Sequence, residues 1–195
     1  GMSHRDAVAK MFTENRNVIF TGNGYSPEWL TEAEKRKLPN LYTTPMAIAT
    51  FNTKESKEIF EKLKILNAEE VDARKEVMYE NYVTTLCIEV VTMLNMVQTG
   101  ILPACAADWS KYASMPAIGG ERQAVYNGIK SEADKLQDLF DKKPHELEKE
   151  AEYLCNTIKP QMAKLRDLVD KAEGLLQKGT YPYPTYEEII YSHHH

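Results

Sequence analysis

The sequence predicts an all-α protein, an antiparallel bundle of long helices with an N-terminal arm of short helices and an extended C-terminal tail. Three observations carry this. Apolar residues at Tyr79, Val83, Leu86, Val90, Met93, Val97 and Ile101 recur every three or four positions, which is the period of one continuous helical seam. Two later segments repeat that pattern, Val125, Ile129, Leu136, Phe140 and then Leu147, Ala151, Leu154, Ile158, Met162, Leu165, Leu168, Ala172, Leu175. Ahead of the tail, only Asn17-Val18-Ile19-Phe20 reads as strand-like.

Residues 5–14 fit a short helix, and the extended Asn17-Val18-Ile19-Phe20 then runs into the turn-rich Thr21-Gly22-Asn23-Gly24. Ser26-Pro27-Glu28-Trp29 is a helix start, with Ser as N-cap, Pro where its missing N–H costs nothing, and an acid in the first turn. That helix stops near Leu38-Pro39, Thr44-Pro45 starts another, and Thr53 caps a third. Residues 1–66 therefore form the arm. The bundle occupies residues 67–179, beginning at the N-cap Asn67 with Glu69 and Glu70 behind it. Cys87, Ile88, Val91 and Leu94 give its first helix a second apolar face, as expected of a helix central to its domain, and Pro103 kinks or ends it. Met115-Pro116-Ala117-Ile118-Gly119-Gly120 breaks the chain before the second helix, which ends near Lys142-Lys143; Pro144 opens the third. The third seam keeps phase through Pro160, which predicts a kink within one helix. Lys178-Gly179 is the stop. Residues 180–192, rich in Tyr and Pro, form an extended tail too apolar to be left in water, and His193-His194-His195 reads as a tag.

Composition narrows the function. In 195 residues, 43% are apolar and 27% charged, and the net charge of −5 lacks the basic face that phosphate backbones require, so nucleic acid is not an expected partner. The near-apolar run from Leu86 to Val97, interrupted by Glu89, Thr92 and Asn95, falls short of the ~20 residues that cross a bilayer, and no membrane partner is expected. Three cysteines in unrelated spacings, two of them in apolar helical stretches, point to a reducing, cytoplasmic setting. Without the last three residues only His4 and His145 remain, neither with a second ligand at metal-binding spacing, so no metal site is expected.

Gly22-Asn23-Gly24 lacks the third glycine of a dinucleotide loop and the Gly-Lys-Ser/Thr of a P-loop, which favours a simple turn. Glu89, between Ile88 and Val90, has two readings: a buried acid of raised pKa able to act as a general acid or base, or a structural charge. The structural charge would be paired with Arg122 or Lys130 or face another subunit. Trp109, Tyr112 and the tail tyrosines could line a ligand pocket or fill the ends of the bundle core.

Longer stretches are more specific. Asn17 to Trp29, followed by Glu32-Ala33-Glu34-Lys35-Arg36, Leu38-Pro39-Asn40-Leu41 and Thr43-Thr44-Pro45, resembles the segment that leaves the catalytic domain of type III glutamine synthetases and enters their C-terminal region. Glu80-Asn81-Tyr82-Val83, Ile88-Glu89, Thr92-Met93-Leu94 and Ile101-Leu102-Pro103-Ala104 are similar to the helical signature there, and Tyr181-Pro182-Tyr183-Pro184-Thr185-Tyr186 to the closing tail. The resemblance implies a parent enzyme that joins glutamate and ammonia using ATP and magnesium or manganese, with all catalytic, cofactor and metal ligands in a β-rich domain outside these residues. It implies a non-catalytic role in structure or subunit assembly, with the chain's own catalytic domain and other subunits of a homo-oligomer as partners. Asn23, Gly24 and Tyr25 would then lie nearest the catalytic core. The alternative is a self-contained helical enzyme or binding module using Glu89.

Overall fold

In the computed structural model, which describes residues 1–192, the described chain is helical with no strand; the tag assignment at residues 193–195 lies outside it. The arm comprises α1 (His4–Glu14), α2 (Pro27–Lys35), α3 (Thr44–Phe51) and α4 (Lys54–Lys62). Asn17-Val18-Ile19-Phe20 is not a strand: a 3-10 turn, Arg16–Val18, takes in its first two residues, and among the described residues there is no partner strand to complete a ladder. Thr53 caps α4 by accepting from the Ser56 N–H, as predicted, whereas α3 is capped one residue early, by Thr43. Helices α2 and α4 end with lysines in the left-handed region, Lys37 at φ 57° and Lys64 at φ 55°. In each case the N–H of the following residue reaches five back, Leu38 to Ala33 and Ile65 to Phe60, and satisfies carbonyls the helix end would orphan.

The bundle starts at α5 (Ala68–Met96), where Asn67 and Glu70 form a reciprocal capping box. The helix does not stop at Pro103. A π-helical turn, Val97–Ile101, carries it into α6 (Leu102–Ser110), and a second π-turn, Leu154–Ile158, joins α8 (Leu147–Tyr153) to α9 (Lys159–Leu175) just before Pro160. In each turn an N–H reaches five residues back, Leu102 to Val97 and Lys159 to Leu154. Backbone pairing thus shifts where proline would remove a donor. Between them α7 (Arg122–Asp141) runs the other way. Its residues meet α8 and α9 in reverse order: Leu139 with Tyr153, Glu132 with Gln161, Arg122 with Leu175. The α5/α6 rod runs parallel to α8/α9, from Lys75 opposite Glu148 to Lys111 opposite Gln177. The architecture is therefore an up-down-up three-helix bundle, with α3 packed on α5 and α8 and α4 on α5.

The predicted seams line the core: Tyr79, Val83, Leu86, Val90, Val97 and Ile101 of the first rod, Val125, Ile129 and Leu136 of α7, Leu154, Ile158 and Leu165 of the third. Four positions shift by one. Leu94 takes the core place expected for Met93, Val169 that for Leu168 and Leu176 that for Leu175, and Gln161 is buried beside Met162, its amide donating to the Glu132 carbonyl at 3.1 Å and carboxylate at 2.5 Å. The third rod starts at Leu147, later than Pro144 suggested, because Glu146 is its N-cap.

The first rod is not central on all sides. Ile88 and Val91 of its second apolar face are 61% and 56% exposed. Because the helix is continuous from Ala68 to Ser110, it contains an 18-residue window of mean hydropathy 1.5, of which 28% is buried, long and apolar enough to cross a membrane by length and composition alone. The sequence expectation of no such segment rested on the interrupted near-apolar run from Leu86 to Val97 alone and is corrected here.

The tail is extended only through its prolines. From Tyr186 to Tyr191 it is a helix, α10, capped by the reciprocal pair Thr185 and Glu188.

Candidate functional site

The predicted contact residues Asn23, Gly24 and Tyr25 sit at the tip of a small knuckle. Arg36, at the end of α2, donates to the Ile19 carbonyl and lies over the Phe20 ring at 5.8 Å, while Glu32 takes its Nε at 2.5 Å. That hydrogen bond holds the Glu32 carboxyl below its usual range. Phe20 in turn packs on Trp29 at 4.7 Å and lies so close to Gly22 that a Cβ there would meet its ring at 2.5 Å. At the tip, the Asn23 side chain accepts from the Tyr25 N–H at 3.0 Å and the Asn23 carbonyl from the Ser26 N–H at 3.2 Å. All three residues are exposed, Tyr25 fully, and Gly24 has open space around it. This is a turn that displays side chains outward.

Glu89 is exposed, so the buried-charge and general-acid readings are both corrected. Its proposed partners are engaged elsewhere, Lys130 with Asp134 at 2.5 Å and Arg122 with Asp108. The physical reason is angular: successive helix residues point 100° apart, so buried Val90 says nothing of its neighbour's direction. Glu89 stands on the rim of an apolar groove of about 380 Å³ lined by Met93, Met96, Val97 and Ile101 of the first rod, Met162 and Leu165 of the third, and Tyr181 and Tyr183. The tail tyrosines thus line a groove without Trp109, which packs with Tyr112 at 6.3 Å and abuts Gly119. Tyr183 donates to the Met96 carbonyl at 3.1 Å and covers Gly100, where a Cβ would meet its hydroxyl at 2.5 Å.

The buried charge lies elsewhere. Asp108 is 1% exposed and accepts from the Tyr126 hydroxyl at 2.9 Å and Arg122 Nε at 3.2 Å. Arg122 also donates to the Leu175 carbonyl at 2.6 Å and the Gly119 carbonyl at 3.3 Å and lies 4.8 Å over the Tyr112 ring. One guanidinium therefore ties together the end of α6, the start of α7 and the end of α9. Burial, and then the Asp108 hydrogen bond, pushes the Tyr126 phenol up; burial followed by the Asp108 charge pushes the Cys105 thiol up to about 11. Such a network fixes helix ends, with the second carboxylate oxygen, Asp108 Oδ1, accepting no hydrogen bond and facing Lys111 Nζ at 4.0 Å. The sequence signal for Asp108 is its spacing from Ile101 and Cys105, which continues the seam once the helix is allowed past Pro103. A second buried carboxylate, Glu150, is paired with Lys143 and faces Cys87 at 3.9 Å, at the other end of the bundle. Among the described residues, no three His, Cys, Asp or Glu converge as metal ligands would.

Likeness to other proteins supplies the context. The sequence model described as Glutamine synthetase C-terminal domain matches residues 5–115, from α1 through the end of the first rod. The chain belongs to that family. A glutamine synthetase of Butyrivibrio fibrisolvens is 32% identical over 96% of the chain and 29% of the relative. A type-3 glutamine synthetase of Dictyostelium discoideum is 28% identical over 89% of the chain and 27% of the relative. A glutamine synthetase of Bacteroides fragilis is 31% identical over 46% of the chain and 13% of the relative. This glutamine synthetase C-terminal domain thus spans less than a third of the length of the relatives it matches. The type III resemblance of the Asn17–Trp29 segment falls within the matched region, as does the first rod.

Proposed function

We propose that this domain is a non-catalytic, structural part of a type III glutamine synthetase that holds subunits and the catalytic domain in their assembly. In the intact enzyme, glutamate and ammonia would be joined using ATP and magnesium or manganese on residues outside these 195. The observation that carries the reading is apolar surface left uncovered on opposite parts of the chain. Helix α1 buries no residue and exposes Val8, Met11 and Phe12 at 55%, 61% and 60%. The knuckle holds Tyr25 out at full exposure, and the first rod leaves Ile88 and Val91 bare. Surfaces of this kind on a folded domain mark sites of contact with other protein. The arm and knuckle suit the catalytic domain of the same chain, and the bundle suits neighbouring subunits. A net charge of −5 and three free cysteines fit a cytoplasmic protein whose partners include neither nucleic acid nor membrane.

The test is calorimetric and enzymatic. Titrating the chain with ATP, glutamate and Mn²⁺ should give no saturable binding, and purified chain should show no biosynthetic or transferase activity. In the intact enzyme, deleting residues 67–192 should break up the oligomer. Activity in the isolated chain, or an undisturbed oligomer after the deletion, would overturn the proposal.

A further inference from the structure

Between Asn81 and Ala107 the first rod carries a single charge, Glu89, in a chain that is 27% charged overall. Its exposed carboxylate has no ion pair among the described residues, yet it stands on the groove between the first rod, α9 and the tail, whose lining is otherwise largely apolar. At about 380 Å³ the groove has the size of a small-ligand site, roughly 300 to 1,000 Å³. Met93, Met96 and Met162 line it with unbranched thioethers that adapt to the shape of a guest. Tyr181 and Tyr183 close the third side, their rings 6.3 Å apart and at 80° to each other.

The tyrosine roof has a built seat. Tyr183 donates to the Met96 carbonyl at 3.1 Å beside the first π-turn, and its ring lies where a side chain at position 100 would stand. A glycine weakens a helix and a π-turn interrupts its regular pairing, and both occur at the point where Tyr183 lands. Arg166, the cation among the lining residues, is committed elsewhere. It donates to the Tyr186 hydroxyl at 2.5 Å, lies 5.4 Å over that ring, and is paired with Asp170 at 2.7 Å. Glu89 is therefore the charge left open to a guest.

Two edge-to-face tyrosines with a carboxylate on the same cavity are the chemistry that holds an organic cation: ring faces attract positive charge, and the carboxylate balances it. The other polar side chains of the lining are Thr92 and the committed Arg166, too few acceptors for the three N–H groups of a primary ammonium. A quaternary ammonium donates no hydrogen bond and leaves none unmade. We propose that the groove binds a free organic cation, a quaternary ammonium carried on one aromatic ring or a short alkyl chain. The apolar part lies among the methionines and the head between Glu89 and the tail tyrosines. This site goes beyond the assembly role and does not depend on it.

Calorimetric titration of the 195-residue chain with benzyltrimethylammonium should give saturable binding. Phenylbutyrate, of similar size and opposite charge, should bind at least about 10-fold more weakly. Glu89→Gln should weaken the cation by about 10-fold and, because Glu89 is exposed, leave circular dichroism and the melting temperature as they were. Tyr181→Leu should weaken it by a similar factor, and Tyr181→Phe should retain it, because the ring face and not the hydroxyl meets the cation. Absence of saturable binding, phenylbutyrate binding as tightly as the cation, or an affinity unchanged in both Glu89→Gln and Tyr181→Leu would each overturn the proposal. Flotation of the chain with phosphatidylcholine vesicles would assign the groove to a lipid headgroup and overturn it as a site for a free cation.

Discussion

Removing the Asp108 carboxylate tests the account of the bundle's closed end. In Asp108→Ala the Tyr126 hydroxyl loses its acceptor, a loss of about 1–3 kcal/mol for a buried donor. The Arg122 guanidinium loses its counter-charge; breaking a fully buried pair costs about 3–5 kcal/mol. The lower part of that range applies, because the Arg122 side chain is 20% exposed and keeps the Leu175 and Gly119 carbonyls. The expected loss is about 3 kcal/mol, falling to about 1.5 kcal/mol in Asp108→Asn, where an amide oxygen still accepts from Tyr126. Tyr126→Phe should cost about 1 kcal/mol, and its effect should largely vanish in the Asp108→Ala background. Urea titrations followed by circular dichroism measure this as a lower midpoint at unchanged m-value. The sign of the pH dependence follows from Tyr126. Its phenol is raised above the ordinary 10.0, so the folded chain keeps a proton that the unfolded chain releases there. Its contribution is full below about pH 10 and is lost as pH rises further, and Tyr126→Phe should flatten that alkaline slope. A cost for Asp108→Ala below about 1 kcal/mol, or strict additivity with Tyr126→Phe, would refute the network as a structural tie.

Truncation after Gly179 removes Tyr181 and Tyr183 from the groove and should lower the thermal midpoint by several degrees, about 1–3 kcal/mol; an unchanged melt would show that the tail adds nothing. Cys105, 2% exposed and with its thiol raised to about 11, should react with Ellman's reagent at pH 8 only as the chain unfolds, after the half-buried Cys87 and Cys155. Glu89→Gln should change urea stability by less than about 0.5 kcal/mol, since the side chain is exposed and no ion pair holds it; a larger change would restore the buried-charge reading.

What could be read in advance was local. Asn67 and Thr53 act as caps because a side chain and the backbone three residues on suffice to make one, and the Tyr79–Ile101 seam follows from helical period alone. The Thr185-x-x-Glu188 capping box was equally local but was overshadowed by the prolines before it. The rest required tertiary information. Pro103 is accommodated by a π-turn that sequence pattern does not announce, so Asp108 fell outside the seam it extends. Glu89 looked buried because its linear neighbours are apolar, yet Ile88 itself faces outward. Of the candidate contact residues, the turn chemistry of Asn23 was legible, while the support beneath it, Arg36 reaching back to Ile19, spans 17 positions and left no pattern.

The two π-turns absorb a surplus without letting it propagate. Each is a helix that takes up one extra residue within a single turn, so the segment beyond keeps the facing it would have without that residue. Deleting one residue among Val97–Ile101 should let the rod relax to regular α-geometry with Asp108 still aimed at Tyr126 and Arg122. The same deletion a few turns away, with the π-turn kept, would rotate everything beyond it by about 100° and swing Asp108 and Trp109 away from their contacts. Loss of a residue inside the turn is therefore the length change that this end of the bundle is built to withstand.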